Sequence, residues 1–560
     1  MAYGFGSYGT CWGYPAAALT VPLAGADFAL DFAQGWYRSG SHLTRDFAIP
    51  LSGNLIVNGD FSDGLNGWGI NDEGTSVTSV VDGRARMYAP DGDYAILAQD
   101  PAGLPVGSRF VLSVDAETLT GGAAYLQFSA SKSIVKILDG GFETYDIRTA
   151  GSLGFKRISV GNPNDVYLDN VVLKQVSATS YRAGECWDID ANGELHRFRS
   201  HEPIILPGRG APFYGPMTND IPTRYFASWN KTNYSQAGTV EGLFGPASVI
   251  APDAGPGPKA FSHNTWLHAN SLYTDSYIIE TAGHRFLQIS PSGGFLHNDY
   301  YFVVDLENGA IAFDNFPDRK GVQKLGGGAV HVWAMGHTIE SDVSGRMILG
   351  SYPSLEIAST ARAPDYTAAG GEGIVLHHAQ RVEGPVPGQF ITTEGVAASI
   401  TAQELVYDSP INADEDYVFW VEANPFLLSG QYQFLAQVDD GTTNNRLSLY
   451  ISDNGVCAAY ARNGDGSYYF GATGTATVGE KFSLILARQH GEFRAGRLQV
   501  GTFTWADSLA RPHPAGLDML RIGSNIDNNY AAKSDILRPS VRKGRFSQAE
   551  IEAMVEGSLS

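Results

Sequence analysis

Aromatic and amide side chains that could bind a sugar cluster in two parts of the sequence. Pyranose rings present apolar C–H faces that stack on aromatic rings, while amides and carboxylates bind the hydroxyl groups. The candidate residues are Trp68, Tyr88 and Tyr94 in the N-terminal third and Tyr460, Tyr468, Tyr469, Asn525, Asp527, Asn528, Asn529 and Tyr530 near the C-terminus. For any single aromatic, a place in the hydrophobic core or at a subunit interface is the competing interpretation. The Asn525-to-Tyr530 stretch is the strongest candidate for a sugar-binding site, because clustered amides beside a ring are typical of a functional loop.

Residues for catalytic or metal chemistry do not form a recognisable pattern. A glycoside hydrolase built on a lectin-like sandwich needs paired carboxylates on one strand face, and residues 399–560 lack that spacing. Asp439 and Asp440 precede a glycine, which is typical of a turn. The histidines show no metalloprotease or facial-triad spacing, and the glycine clusters are not followed by a helix that could bind phosphate. The sequence therefore predicts a binding protein and not an enzyme.

The composition predicts several all-β domains. At 560 residues the chain exceeds the size that one hydrophobic core usually serves. Charged residues make up 17%, and the 66 glycines and 27 prolines suit short strands joined by turns better than long helices. Cys11, Cys186 and Cys457 lie far apart without metal-ligand spacing, so we expect them to be small buried hydrophobic residues.

The charge and the hydropathy pattern exclude several classes of partner. The formal net charge of −21 disfavours nucleic acid and anionic membrane surfaces, because both require clustered Lys and Arg. Apolar runs fall short of the roughly 18 residues that a membrane span requires. Residues 1–10 lack the basic and apolar regions of a signal peptide, so we expect synthesis in a cytoplasm and no membrane insertion.

A turn-rich stretch and a later strand delimit the first domain. Leu55-Ile-Val57 leads into Asn58-Gly-Asp-Phe-Ser-Asp-Gly-Leu-Asn-Gly-Trp68, and Asp165-Val-Tyr-Leu-Asp-Asn-Val-Val-Leu173 ends the unit. This pair resembles the carbohydrate-binding modules of galactose-binding-like jelly-roll fold. The resemblance implies a structural calcium ion bound by Asp60 or Asp63 together with Asp169. Ser62 stands where that family usually carries Glu.

The remaining chain is predicted to form further β-sandwiches and one short helix. The last unit resembles the concanavalin A-like (laminin G-like) lectin fold, and Ser547 and Glu550 form a capping box for a C-terminal helix that Gly557 should end. Asn192-Gly193 predicts a hairpin turn. The predicted segments are an attachment arm (1–52), the jelly roll (53–177), a connector hairpin (178–222), a second β-sandwich (223–398) and the lectin-like sandwich (399–560).

Two further stretches resemble bacteriophage tail proteins. Residues 184–195, followed by His201-Glu-Pro-Ile204 and Thr218-Asn219, have the order of a leader seen in many of them. Residues 375–384 and 390–395 resemble the end of tail-fibre and tail-tip sandwiches. The resemblance implies a non-enzymatic virion protein of the tail.

In that interpretation the arm attaches the chain to other tail proteins and the sandwiches bind host cell-surface polysaccharide. We also expect a homotrimer, since multiple tethered contacts raise avidity. The alternatives are a secreted or virion-borne glycan-degrading enzyme with carbohydrate-binding modules, and a head-decorating fibre.

Overall fold

The structure is a computed structural model that confirms the all-β prediction. It describes residues 26–32, 36–39, 42–44, 48, 50–91, 93–101, 104, 106–120, 125–128, 135–136, 142–147, 153–156, 163–199, 202–223, 226–297, 299–393, 397–412, 415–428, 430–466, 468–526 and 531–559. In these ranges the sheets are antiparallel and the α-helices are limited to Leu355–Ala358 and Gln548–Leu559. Two 3₁₀ turns, Phe226–Ser228 and Gly326–Gly328, complete the helical elements of this part of the chain.

The chain divides into two compact units that do not follow the linear order of the predicted segments. The first unit comprises the described residues within 1–183, 199–213 and 403–560. The second comprises residues within 184–198 and 214–402. The second unit is therefore two segments, each inserted between segments of the first, and the hairpin of the predicted connector belongs to the second unit.

The first unit contains a β-sandwich made of two sheets, here named the back sheet and the front sheet. In order across the back sheet, the strands are His42–Thr44, Trp36–Ser39, Phe28–Asp31, Ser534–Lys543, Tyr417–Pro425, Phe482–Gln489, Glu492–Gln499 and Thr502–Trp505, with Ala211–Phe213 paired to Ser534–Lys543 and Leu509–Ala510 paired to Glu492–Gln499. In order across the front sheet, they are Ala178–Tyr181, Glu404–Asp408, Met519–Ile522, Gln433–Asp439, Arg446–Ile451, Val456–Arg462 and Tyr468–Thr475.

A strand from the N-terminal segment completes the back sheet. Phe28 pairs with Val541 and Ala29 pairs with Ser540 in antiparallel register. All four side chains of Phe28–Asp31 are buried, so this strand is part of the sandwich core. Residues 28–44 of the predicted attachment arm are thus a structural part of the C-terminal sandwich, and residues 1–25 lie outside the described residues.

Alternation of side chains fills the space between the two sheets. Leu447, Leu449 and Ile451 of the front sheet meet Phe419 and Leu484 of the back sheet in one core. Their intervening neighbours point to the opposite face of each sheet, as the two-residue period of a strand requires. The outer face of the front sheet is therefore formed by the alternate residues.

The C-terminal helix covers the outer face of the back sheet. Ile551 and Val555 pack against Trp420 and Ile485 in a second cluster. The predicted capping box is confirmed, since the Ser547 backbone N–H donates to Glu550 Oε2 at 2.7 Å. The helix continues to Leu559, so the prediction that Gly557 ends it is wrong.

The jelly roll is a sandwich of two smaller sheets in the first unit. One contains Val135–Lys136, Tyr125–Phe128, Leu153–Lys156, Ala95–Gln99 and Gly69–Asp72, and the other contains Phe142–Ile147, Arg109–Thr120, Asn164–Gln175, Arg84–Ala89 and Val77–Val81. Their core includes Met87, Leu97, Leu112 and Leu173.

The second unit is a sandwich of two larger sheets. One contains Asn230–Thr232, Ala260–Ser262, Val343–Tyr352, Phe286–Gly293, Phe302–Asp305 and Ala310–Asp314, with Thr265–Leu267 paired to Val343–Tyr352. The other contains Tyr234–Gly242, Gly245–Pro252, Gly373–Glu383, Leu272–Ala282, Val330–His337 and Lys320–Lys324. Two small ribbons, Cys186–Ile189 with Leu195–Phe198 and Met217–Asn219 with Ala398–Ile400, belong to the same unit. The first ribbon confirms the hairpin turn predicted at Asn192-Gly193.

Cys186 and Cys457 are buried free thiols, as the sequence predicts, and Cys11 lies outside the described residues. Neither helix in the described part of the chain has the length and apolarity that crossing a bilayer requires.

Candidate functional site

The outer face of the front sheet carries a continuous row of aromatic and polar side chains. Strand register places Gln437 opposite Ser448, Ser448 opposite Tyr460, and Tyr460 opposite Phe470. A second row on the same face runs through Asp439, Arg446, Arg462 and Tyr468. Because residues in register on one face of a sheet lie side by side, the two rows form one surface.

The exposed end of this surface is aromatic. Tyr468 and Phe470 are 58% and 53% exposed on the strand that ends the front sheet. The Tyr460 ring stacks against Tyr468 with centroids 6.2 Å apart, and the Arg446 guanidinium lies 5.4 Å from the Tyr460 centroid. This arrangement offers ring faces to a ligand beside a cation.

Three further rings extend the aromatic end along the sheet. Phe434 and Tyr450 stack at 5.4 Å, and Tyr432 lies 5.8 Å from Tyr450. Phe434 and Tyr450 are nearly buried, whereas Tyr432 is 42% exposed. The sequence analysis did not select these residues. In the sequence, the pattern that could have indicated them is the alternation of Tyr450 with Leu449 and Ile451, which face the core.

The opposite end of the surface is a buried polar network. Gln437 Nε2 donates to Asp439 Oδ2 at 2.9 Å, and Ser448 Oγ donates to Gln437 Oε1 at 3.3 Å. The Arg521 Nε donates to the same Asp439 oxygen at 2.9 Å, and Arg521 also pairs with Glu404. Asp439 was predicted to lie in a turn, but it is fully buried at the end of Gln433–Asp439 because Arg521 neutralises its charge.

Burial shifts the pKa of one carboxyl in this network. Burial raises the pKa of Glu404, and the neighbouring Arg521 guanidinium opposes the shift by favouring the charged form. Two carboxylates that share one guanidinium give the network a fixed geometry. The network is largely buried, so it stabilises this end of the front sheet.

Trp68, a predicted sugar-stacking residue, lies in the core of the jelly roll. Its ring stacks on Phe61 at 5.4 Å and packs near Phe155, and its Nε1–H donates to the Asn58 carbonyl at 3.0 Å. Only 7% of the residue is exposed. A ring with both faces covered offers no platform to a ligand, so this packing argues against a stacking role for Trp68.

Tyr88 lies on the outer face of the jelly roll. It is 38% exposed, and the Arg86 guanidinium lies 4.8 Å from its ring centroid. Arg86 is held by a bidentate pair with Asp165 at 2.7 and 2.6 Å. Tyr94 is half-buried at the start of Ala95–Gln99, and its carbonyl accepts the Glu73 N–H at 2.8 Å. Trp68 in the core and Tyr88 on the outer face therefore do not form one binding surface.

The three aspartates predicted to bind calcium lie in different environments. Asp169 has its pKa raised by burial, and the negative charges of Asp115 and Asp60 raise it further. Asp63 instead accepts a hydrogen bond from the Asn66 amide at 2.8 Å. Among the described residues, no group of three or more His, Cys, Asp or Glu side chains is arranged to hold a metal ion. The charges of Asp60 and Asp169 suit a cation, because a bound cation would relieve the repulsion between the two carboxylates. Backbone oxygens would have to complete the set of ligands.

The predicted loop from Asn525 to Tyr530 is described only at its start. Asn525 is buried, with 3% of the residue exposed. Asp527, Asn528, Asn529 and Tyr530 lie outside the described residues. Of the other C-terminal candidates, Tyr469 is buried in the sandwich core, where its hydroxyl accepts the Ala495 N–H at 2.7 Å. Tyr460 and Tyr468 are the candidates that the structure brings together.

The chain has partial structural likeness to several solved proteins. It is similar to Ruminococcus gnavus IT-sialidase CBM40 at 19% identity over 25% of this chain and 83% of that one, with a TM-score of 0.22. It is similar to an alginate lyase from Alteromonas sp. 272 at 15% identity over 28% of this chain and 72% of that one, with a TM-score of 0.16. Mouse laminin α1 domains LG4-5 match at 13% identity over 52% of this chain and 89% of that one, with a TM-score of 0.17.

At TM-scores this low, the structural similarities do not indicate a function. No known protein family matches the sequence, and no curated protein does. The functional proposal therefore rests on side-chain geometry.

Proposed function

We propose that this protein binds glycan through the outer face of the front sheet. The observation that carries the proposal is the exposed pair Tyr468 and Phe470, with Tyr460 stacked behind Tyr468. Large rings exposed side by side on a strand are costly in water unless a partner covers them. Pyranose C–H faces are suitable partners for such rings.

The polar neighbours of these rings favour a sugar over a purely apolar ligand. Arg446 and Arg462 lie in the row that ends at Tyr468, and the Gln437–Ser448 pair lies in the row that ends at Phe470. Rings combined with a few fixed polar groups are the usual composition of a sugar site. Gln437 and Ser448 are buried and bonded to each other, whereas Arg446 and Arg462 are partly exposed, and an apolar peptide or lipid would cover their charges without compensation.

The test compares glycan binding of the wild-type protein with a Tyr468→Ala/Phe470→Ala variant on an array of bacterial surface polysaccharides. Loss of two stacking rings should weaken binding by about tenfold or more. Tyr300→Ala, which removes a 42% exposed ring from the second unit, is the matched control. Unchanged melting temperatures exclude misfolding, and equal binding by the double variant and the wild type contradicts the proposal.

We further propose that the glycan lies on a host cell and that the chain is a non-enzymatic protein of a phage tail fibre or tail tip. The resemblance of residues 184–195, 375–384 and 390–395 to tail proteins supports this role. Residues 1–25 would then contact other tail proteins. Antibody labelling of purified particles should mark the tail. Label on the head would favour a head-decorating fibre instead.

The proposed tail protein is a homotrimer, because several tethered sites raise avidity for a repeating polysaccharide. Light scattering of the purified chain should give three times the monomer mass. A monomer at micromolar concentration, alone and with its attachment partner, contradicts this assembly.

A glycan-degrading enzyme is the second candidate, and Glu404 is the observation that favours it. Burial raises the pKa of Glu404, which is the direction that suits a general acid, while the paired Arg521 opposes the shift and joins Glu404 to Asp439 on the outer side of the front sheet. Glycans bound on the array should be incubated with the protein and sized by chromatography. Fragments released by the wild type and not by Glu404→Gln would support the enzyme.

A further inference from the structure

The second unit exposes a tryptophan that the glycan-binding face of the front sheet does not include. Trp266 is 66% exposed, although it lies in the regular strand Thr265–Leu267. Its neighbour Leu267 is fully buried in the sandwich core, so alternation along the strand directs Trp266 to the outer face. An indole exposed to this extent on a rigid strand is available to a ligand without any rearrangement.

Strand register surrounds this indole with polar groups. Trp266 pairs with Ser344, which is exposed on the neighbouring strand. Two residues further along that strand, Arg346 donates from Nη1 to Asn264 Oδ1 at 3.3 Å. Asn264 thereby keeps its NH₂ group as a donor. On the other side Arg346 pairs with Ser292 of Phe286–Gly293. The outer face here combines one ring, one guanidinium, one amide and two hydroxyl groups.

A second guanidinium lies beside the first. Arg362 donates from Nε to Ser290 Oγ at 3.2 Å and from Nη2 to the Pro291 carbonyl at 3.0 Å, directly before Ser292. Burial lowers the pKa of Arg362, the negative charge of Asp299 opposes this shift, and the positive charge of Arg346 lowers the pKa by a smaller amount. Within the described residues, neither Arg346 nor Arg362 forms an ion pair with a carboxylate. Two neighbouring guanidinium groups that no carboxylate pairs directly form a local positive charge in a chain of net charge −21.

The segment that carries Arg362 is held in a strained conformation. Ala363 has φ = 46°, in the left-handed region that a residue with a Cβ rarely adopts. The buried Gln288 stabilises this turn, since its Oε1 accepts the Ala363 N–H at 2.6 Å and its Nε2 donates to the Ala358 and Ala361 carbonyls at 2.6 and 2.8 Å. Strain of this kind persists where the surrounding structure fixes a side chain in a particular place.

We propose that this face, formed by Trp266, Asn264, Ser344, Arg346 and Arg362, binds an acidic sugar, with the pyranose ring on Trp266 and its carboxylate on the two guanidinium groups. The planar fork of arginine matches a carboxylate through paired hydrogen bonds. The ring, the amide and the hydroxyl groups select a sugar over a simple anion, because they bind the uncharged part of the ligand. The site is separate from the front sheet and does not depend on the function proposed for it.

The test measures binding of tetragalacturonate and of a sialoside to the full-length protein by calorimetry, since a uronate and a sialate are the two common sources of a sugar carboxylate. At least one should bind. Trp266→Ala and Arg346→Gln should each weaken that binding by about tenfold or more. Arg319→Gln, which changes an exposed arginine of the same unit, should leave it unchanged. The Tyr468→Ala/Phe470→Ala variant should also bind normally, which separates this site from the front sheet.

Chemical variants of the ligand test the role of the charge. Methyl esterification of the carboxylate should remove most of the affinity while retaining the ring. Dextran sulfate serves as a polyanion that lacks a carboxylate. The proposal is overturned if neither acidic sugar binds, if the ester binds as tightly as the acid, if dextran sulfate binds as tightly as both sugars, or if Trp266→Ala binds like the wild type with an unchanged melting temperature.

Discussion

Arg381 and Thr265 connect the core of the second unit to its exposed tryptophan. Arg381 Nη1 donates to Thr265 Oγ1 at 2.5 Å and to the Gly345 carbonyl at 3.0 Å. The same guanidinium forms a bidentate pair with Asp275 at 2.6 and 2.5 Å, and both side chains are 1% exposed. Thr265 directly precedes Trp266 in the chain, and Gly345 is the cross-strand partner of Thr265. A buried ion pair thus fixes the register of the short strand that presents the indole.

The first prediction concerns this ion pair. Arg381→Met should destabilise the second unit by about 3–5 kcal/mol, because it leaves Asp275 charged and unpaired in the core. The measurement is chemical denaturation followed by tryptophan fluorescence. The double variant Asp275→Leu/Arg381→Met removes both charges and should regain most of the lost stability. A single variant as stable as the wild type would show that the pair contributes nothing.

The second prediction concerns acid stability of the second unit. Burial lowers the pKa of His377, and this outweighs the hydrogen bond to Glu280 at 3.2 Å. Its Nδ1 accepts the Leu243 N–H at 3.3 Å, which requires the neutral ring. The unfolded chain, with an ordinary pKa of about 6.5, therefore binds this proton more readily than the folded one. The stabilising contribution is complete above pH 6.5 and is lost as the pH falls towards the lower folded-state pKa.

Melting temperatures between pH 8 and pH 5 measure this dependence. His377→Gln should flatten the decline, and His268→Gln, an exposed histidine of the same unit, serves as the control. Because burial also lowers the pKa of His263 and His284, part of the decline should remain in His377→Gln. An identical decline in His377→Gln and the wild type would contradict the prediction.

The third prediction concerns calcium and the jelly roll. If Asp60 and Asp169 bind the ion, calcium should raise the melting temperature of the full-length protein, since a ligand of the folded state stabilises it by mass action. A chelator should reverse the increase. Asp169→Asn should melt at the same temperature with and without calcium, whereas Asp63→Asn should respond like the wild type. A wild-type melt that is indifferent to both calcium and chelator removes the ion from the jelly roll.

The fourth prediction concerns the N-terminal strand. Phe28 is 1% exposed and packs edge-on against Tyr37 and Tyr407 at 5.6 and 5.9 Å. Phe28→Ala should cost about 3–5 kcal/mol of unfolding free energy in the first unit, as truncation of a buried aromatic does. Leu509→Ala, at a 41% exposed position of the same sheet, should change it little. Stability equal to the wild type in Phe28→Ala would mean that this strand is not part of the folded body.

Local patterns in the sequence determined the class of fold and several single features. The period-two alternation along Arg446–Ile451 predicts a strand, and the Ser547–Glu550 spacing predicts the helix start. Asn192-Gly193 predicts its hairpin in the same way. These features depend on residues a few positions apart, so the sequence alone contains the information needed to predict them.

The position of each aromatic residue was decided only by the tertiary structure. Trp68 and Tyr468 are both rings beside turn residues in the sequence, yet one is 7% exposed and the other 58%. Which face of a strand meets the core depends on which other strands pair with it and cover it. Phe28 pairs with Val541, more than five hundred residues later in the chain. No local pattern in the sequence indicates such a pairing. The sequence thus determined which residues could form strands and which aromatic residues are candidates for a binding site, and long-range pairing decided which of those rings remain exposed.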